Sequence, residues 1–278
     1  MGMKRALIKS TLLLLFLALS FDCYAIKPAQ EYVATPDSLG MRYEQQVLST
    51  PDGYGLNTWL IQPSPEKDKK TTLVLSYADS GNMSYWLHHI KALSEAGYTV
   101  VAFDYRGFGK SSEFEIDPLH LYYNEFATDL ATVLRWTKQN ARGNRTGVLA
   151  FSMGTIVATI ALQLEKADFL IGEGFVHAPS AYVARIKEIK GRDIALPAGA
   201  DTYASKLRKL KCPMLLVAGE QDKFTTVADS EQIARQRGNR EVLRHSGNHT
   251  EGFMTLTKKS FGDLYVKALM HFTQKLKG

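Results

Sequence analysis

Gly147-Val148-Leu149-Ala150-Phe151-Ser152-Met153-Gly154 is an apolar β-rich run that passes, with no loop between, into the helical spacing of Met153 to Lys166. A strand that turns straight into a helix crowds the backbone on both sides of the junction residue, so only small side chains fit two positions before and after it. Ala150 and Gly154 meet that demand around Ser152. The turn also sets the serine at the amino end of the helix, where the Met153 N–H can donate to negative charge developing beside it. Ser152 is therefore the candidate nucleophile, at the junction of a buried strand and a helix.

Outward from this junction, short apolar runs at Thr72 to Tyr77, Thr99 to Asp104, Phe175 to His177 and Met214 to Gly219 have the continuous texture of strands buried on both faces. Between them lie helical patterns at Tyr85 to Ala96, Tyr123 to Gln139, Met153 to Lys166, Val227 to Gln236 and Phe261 to Lys275. Regular alternation predicts an α/β fold, a doubly wound and mostly parallel sheet with helices on both faces. Upstream, Glu44 to Leu48 and Leu56 to Ile61 flank the turn-forming Thr50-Pro51-Asp52-Gly53-Tyr54-Gly55, which predicts an antiparallel hairpin at the start. Residues 180–210 break the rhythm and form a candidate small lid. In such sheets ligands sit at the carboxyl ends of the strands, so chemistry is sought in the loops that leave them.

The whole chain is consistent with one large domain over residues 26–278, at 45% hydrophobic and 22% charged residues with no repeat. Residues 1–25 differ: Lys4, Arg5 and Lys9 precede the uncharged run Thr11 to Ser20, and Cys23-Tyr24-Ala25 offers small residues at both recognition positions of a cleavage site. This pattern predicts a signal peptide and an exported protein, periplasmic or secreted, or one anchored in a membrane if the segment stays attached. If Cys23 leaves, Cys212 stands alone and no disulfide framework supports the fold. The net charge of +6 is modest, and its basic residues are scattered with no nucleic-acid motif, leaving room only for contact with an anionic membrane surface or substrate. No metal motif and no dinucleotide fingerprint occurs, so no metal or other cofactor is expected. Oligomeric state is not legible.

An activated serine needs a base, and the base an orienting acid. Val217-Ala218-Gly219-Glu220-Gln221-Asp222 places an acid just past a late strand, and His245-Ser246-Gly247-Asn248-His249 follows the last one, Glu241 to Leu243. With Ser152 in its turn, these segments follow the order serine, acid, histidine and resemble the α/β-hydrolase superfamily, with Ala150 in place of the commoner glycine. Tyr77-Ala78-Asp79-Ser80-Gly81-Asn82 resembles the H-G-N-A-G-N oxyanion loop of the branch that includes depalmitoylating thioesterases and bacterial esterases. Asp104-Tyr105-Arg106-Gly107-Phe108-Gly109-Lys110-Ser111 looks like that family's scaffold turn, which gives Asp104 and Arg106 structural roles.

The resemblance, which runs from about Gln45 to the C-terminus, implies a serine hydrolase. Ser152 is the implied nucleophile, His249 the base and Asp222 the acid, with His245 and Glu220 as the weaker choices. The backbone N–H groups of Asp79 and Met153 form the implied oxyanion hole, and an inward Asp79 carboxylate would oppose it. The substrate implied is a small-molecule or lipid-like acyl ester or thioester. Phe108, Tyr122, Tyr123 and Phe224 are candidates to hold the acyl chain, and His177 is a candidate to line the pocket. Two other readings compete: a binding protein with weak catalysis, and an aminopeptidase that would use Glu173 or Asp79 to hold a substrate amine.

Overall fold

The computed structural model describes residues 25–141 and 143–276; the signal segment expected over residues 1–25 lies, apart from Ala25, outside the described residues. Eight strands join in one sheet among them: β1 (Tyr43–Ser49), β2 (Gly55–Ile61), β3 (Thr71–Ser76), β4 (Thr99–Phe103), β5 (Arg145–Phe151), β6 (Phe169–Glu173), β7 (Met214–Gly219) and β8 (Arg240–His245). Their spatial order is β1-β2-β4-β3-β5-β6-β7-β8. The β1–β2 hairpin is antiparallel, β2 runs antiparallel to β4, and every other neighbouring pair is parallel.

Burial explains the sequence texture. Strands β3, β4, β6 and β7 are buried at every residue, whereas the edge strand β1 is mostly open and correspondingly polar. Helices α1 (Leu87–Glu95), α2 (Glu125–Asn140), α3 (Met153–Leu164), α4 (Pro179–Lys190), α5 (Tyr203–Lys209), α6 (Val227–Ala234), α7 (Gly252–Thr255) and α8 (Asp263–Lys275) fill the connections. Helices α2 and α5 pack on α3, and α1 packs on α8. No helix among the described residues is long and apolar enough to cross a membrane.

One strand lies elsewhere than its sequence suggests. The expected strand Phe175 to His177 is replaced by β6 at Phe169–Glu173, because Gly174 takes a φ of 59° and ends the strand one residue after Glu173. A carboxylate at the end of the buried run masked its strand character. The segment expected as a lid carries α4 and α5. Cys212 is partly buried, and burial pushes its thiol up to about 11, which leaves it a packing residue.

Asp104 and Arg106 have the structural role expected of them. Arg106 is clamped by Asp129 of α2 (Nε–Oδ1 2.9 Å, Nη2–Oδ1 2.7 Å) and by Asp52 (Nη1–Oδ2 2.6 Å), and its guanidinium lies 4.0 Å from the Tyr54 ring centre. The Asp104 carboxylate accepts the N–H groups of Met83 and Lys110 and the hydroxyl of Tyr32. Together they tie the hairpin, α2 and the loop after β3 to one turn.

Candidate active site

Ser152 sits between β5 and α3 at φ 49° and ψ −116°, a left-handed conformation that a residue with a side chain rarely holds. Its N–H donates to the Glu173 carbonyl (3.0 Å), and its own carbonyl accepts the N–H (2.9 Å) and hydroxyl (2.7 Å) of Thr155. Position 154 must be glycine, since a Cβ there would run into the carbonyl oxygens of Ser76 and Tyr77. The strain is thus held by neighbours on three strand ends, and it aims Oγ out of the sheet.

The loops after β7 and β8 bring the other two groups. His249 Nε2 lies 2.7 Å from Ser152 Oγ, and its Nδ1 lies 2.7 Å from Asp222 Oδ2. An unprotonated Nε2 that accepts from the serine leaves Nδ1–H to donate to the carboxylate. Asp222 also accepts the N–H groups of Phe224 (2.8 Å) and Thr225 (2.9 Å) on Oδ1 and the Thr225 hydroxyl (2.5 Å) on Oδ2. Burial works to raise the Asp222 pKa, but the hydrogen bond and charge of His249 and the Thr225 donors outweigh it and hold the carboxyl below its ordinary value. Gly174 makes room for the imidazole: a Cβ there would stand 2.7 Å from His249 Cε1.

The alternatives considered for this arrangement fall elsewhere. His245 ends β8 buried, its Nδ1 accepting the Gly247 N–H (3.2 Å), and burial lowers its pKa, which disfavours a charged ring. Glu220 is exposed. His177 does not line the cavity at Ser152, and pairs with Asp229 at 3.2 Å instead. Glu173 is wholly buried and outside that cavity, so it offers a substrate amine nothing.

A cavity of about 300 Å³ opens over Ser152 and His249. Its walls include Leu121, Tyr182, Ile186, Ile194 and Phe224, with Lys190 and Arg192 also present. Of the four aromatic residues expected to hold an acyl chain, Phe224 alone lines it; Phe108 and Tyr122 are core residues, and Tyr123 packs on Phe114 and Phe126. The other walls come from α4, the stretch beyond it and a loop bridge, Leu121 N–H to Ala195 O (3.0 Å). A larger recess of about 710 Å³ near Met41, Leu60 and Lys91 holds no nucleophile beside a base.

Met153, the first residue of α3, and Asp79, in the loop after β3, both line the cavity at Ser152. The Met153 N–H has no acceptor among the described residues. The Asp79 side chain enters the same space: burial raises its carboxyl pKa, against its own backbone N–H and the fields of His249 and Lys190. No group of side chains among the described residues could hold a metal ion.

The strand order and the strained serine turn at the end of β5 are those of the α/β-hydrolase fold. Residues 80–188 match the family model described as serine aminopeptidase, S33, a span that includes Ser152 and ends before Asp222 and His249. Protein Bem46 of Schizosaccharomyces pombe is 26% identical over 205 residues, 70% of this chain and 66% of that protein. Protein YfhR of Escherichia coli is 23% identical over 258 residues, covering 82% and 80% of the two chains. Among solved structures, the Pyrococcus furiosus esterase Pf2001 superposes with a TM-score of 0.71 at 22% identity, over 91% of this chain and 100% of the esterase.

Proposed function

We propose that this chain is a serine hydrolase that cleaves a carboxylic ester or thioester through an acyl-enzyme on Ser152. The observation that carries the reading is the unbroken relay from Asp222 through His249 to Ser152, with 2.7 Å at each step and the serine on a strained turn. As Oγ bonds to the substrate carbonyl carbon, its proton passes to His249 Nε2, and Asp222 stabilises the imidazolium. The oxyanion is held by the N–H groups of Met153 and Asp79, and burial raises the pKa of the Asp79 carboxyl, which weakens the repulsion it exerts. Collapse breaks the bond to the leaving group, which takes the proton from His249. Water then attacks the acyl-enzyme by the same route and frees the serine.

The apolar walls from Leu121, Tyr182, Ile186, Ile194 and Phe224 support an acyl substrate of modest size, since about 300 Å³ lies at the lower end of ligand cavities. Residues 180–194 supply the lid side of that cavity, and the pattern of residues 1–25 supports an exported enzyme. One observation favours a second reading: Asp79 is a carboxyl inside the cavity, where it could pair with the amine of a peptide, as an aminopeptidase requires.

The test is intact-mass detection of labelling by a fluorophosphonate, beside Ser152→Ala. One adduct, lost in the variant while its melting temperature stays put, is the expected outcome. A folded wild type that takes no label would move the chain to the binding-protein class. Turnover of aminoacyl amides above that of esters would move it to the peptidases.

A further inference from the structure

We propose that Glu173 is a positioning residue of this site, the strut that seats the loop carrying His249 over Ser152; this rests on the serine-hydrolase reading above. Glu173 touches both halves of the relay. Its backbone carbonyl accepts the Ser152 N–H at 3.0 Å, and its carboxylate Oε1 accepts the Gly252 N–H, three residues past His249, at 2.6 Å. The fit leaves no slack, since a Cβ on Gly252 would stand 2.8 Å from that same oxygen.

The charge itself calls for explanation. A hydrogen bond from Gly252 could be accepted equally by the amide of glutamine, which would not suffer from burial. Burial instead pushes the Glu173 carboxyl up to about 7, against the Gly252 N–H, the neighbouring Tyr265 hydroxyl and the field of His249. A carboxyl raised from its ordinary value makes the folded state less stable as pH climbs from about 4.5 to about 7, with no further loss above that.

The groups around Glu173 do not neutralise it. His245 on β8 has Nε2 3.9 Å from Oε1, beyond hydrogen-bond reach, and burial disfavours a charge on its ring. Tyr265 on α8 sets its hydroxyl beside the carboxyl, where it can donate a hydrogen bond but brings no positive charge. Asp222 across the site is negative and adds to the repulsion. The positive charge that Glu173 can answer is the imidazolium that forms on His249 when Ser152 gives up its proton. The strut therefore has two parts, an acceptor that fixes the loop and a negative charge that favours proton transfer.

The test uses the rate of Ser152 labelling by a fluorophosphonate, per folded molecule, as a function of pH. Glu173→Gln keeps the acceptor and removes the charge, and its labelling above pH 7 should fall roughly tenfold, with a flatter rise through neutral pH than wild type shows. Glu173→Ala removes both and should fall roughly a hundredfold, as expected when a base is displaced by about an ångström. Glu173→Gln should also melt higher than wild type above pH 7 and level with it near pH 4. Should the alanine variant not fold, the near-isosteric glutamine variant carries the test. Labelling of Glu173→Gln at the wild-type rate at every pH would reduce Glu173 to a packing residue and overturn the proposal. A wild type that is not labelled at all would instead overturn the hydrolase reading beneath it.

Discussion

The turn after β4 and the turn after β5 leave the sheet on either side of β3, and both bury polar groups, yet they treat them differently. After β4, Arg106 is held between Asp129 and Asp52, Asp104 is saturated by N–H groups and hydroxyls, and the positive φ values fall on Gly107 and Gly109, which hold them without strain. After β5 the positive φ falls on Ser152, at a cost of about 1–3 kcal/mol, and its hydroxyl meets His249 with a cavity in front of it. A closed network of charges on relaxed backbone holds the fold together. An open one on strained backbone leaves a hydroxyl facing a cavity. The contrast predicts that substitutions at the first turn alter stability and leave the reaction alone, while those at the second do the reverse.

The largest effect should come from Asp222→Asn, which leaves acceptors for the Phe224 and Thr225 N–H groups but lets His249 adopt the wrong tautomer. Turnover should fall by roughly 10³–10⁴-fold with little change in melting. A fall of less than tenfold would mean that Asp222 is not the orienting acid. Arg106→Ala is the counterpart: it strands Asp129, whose carboxyl burial already pushes up to about 6, and should lower stability by about 3–5 kcal/mol. Since a stranded carboxylate is relieved by protonation, the deficit should shrink as pH falls toward about 5. Labelling of Ser152 per folded molecule should be unchanged; a matching loss of labelling would show that the two turns are coupled and break the comparison.

The difference between the two turns also explains what could be read from the sequence. That Ser152, Asp222 and His249 would meet was legible because each requirement is local: small neighbours around a strained turn, an acid just past one strand, a histidine a few residues past the last. The parallel sheet was legible because burial on both faces forces continuous apolar runs. The cavity walls were not, since Leu121, Tyr182, Ile186 and Ile194 come from separate segments whose apolar residues look like ordinary core positions. Aromatic residues were favoured as candidates, and Phe108 and Tyr122 went to the core, where large rings bury most area. Glu173 was legible only as a candidate to hold a substrate amine, and its charge obscured the end of β6. That a carboxylate ends a fully buried strand was the available signal for it, and it points to a site rather than to a loop.

The smallest effect concerns α4, which brings Tyr182 and Ile186 to the cavity and is fastened to the loop that carries Asp222. Arg185 on α4 pairs with both carboxylate oxygens of Asp229 and donates to the Phe224 carbonyl (2.8 Å), while Asp229 also caps α6 through the Thr226 N–H (2.9 Å). This network is partly exposed, so Arg185→Gln should lower stability by only about 1 kcal/mol. Its effect on the reaction depends on what the wall does. If α4 only contains the acyl chain, turnover of a long-chain ester should lose about threefold to tenfold through KM, while a short ester and the small fluorophosphonate react as before. An equal loss for short and long esters would mean that the fastening also holds Asp222 in register, and the open turn would then owe part of its geometry to a closed network like the one at Arg106.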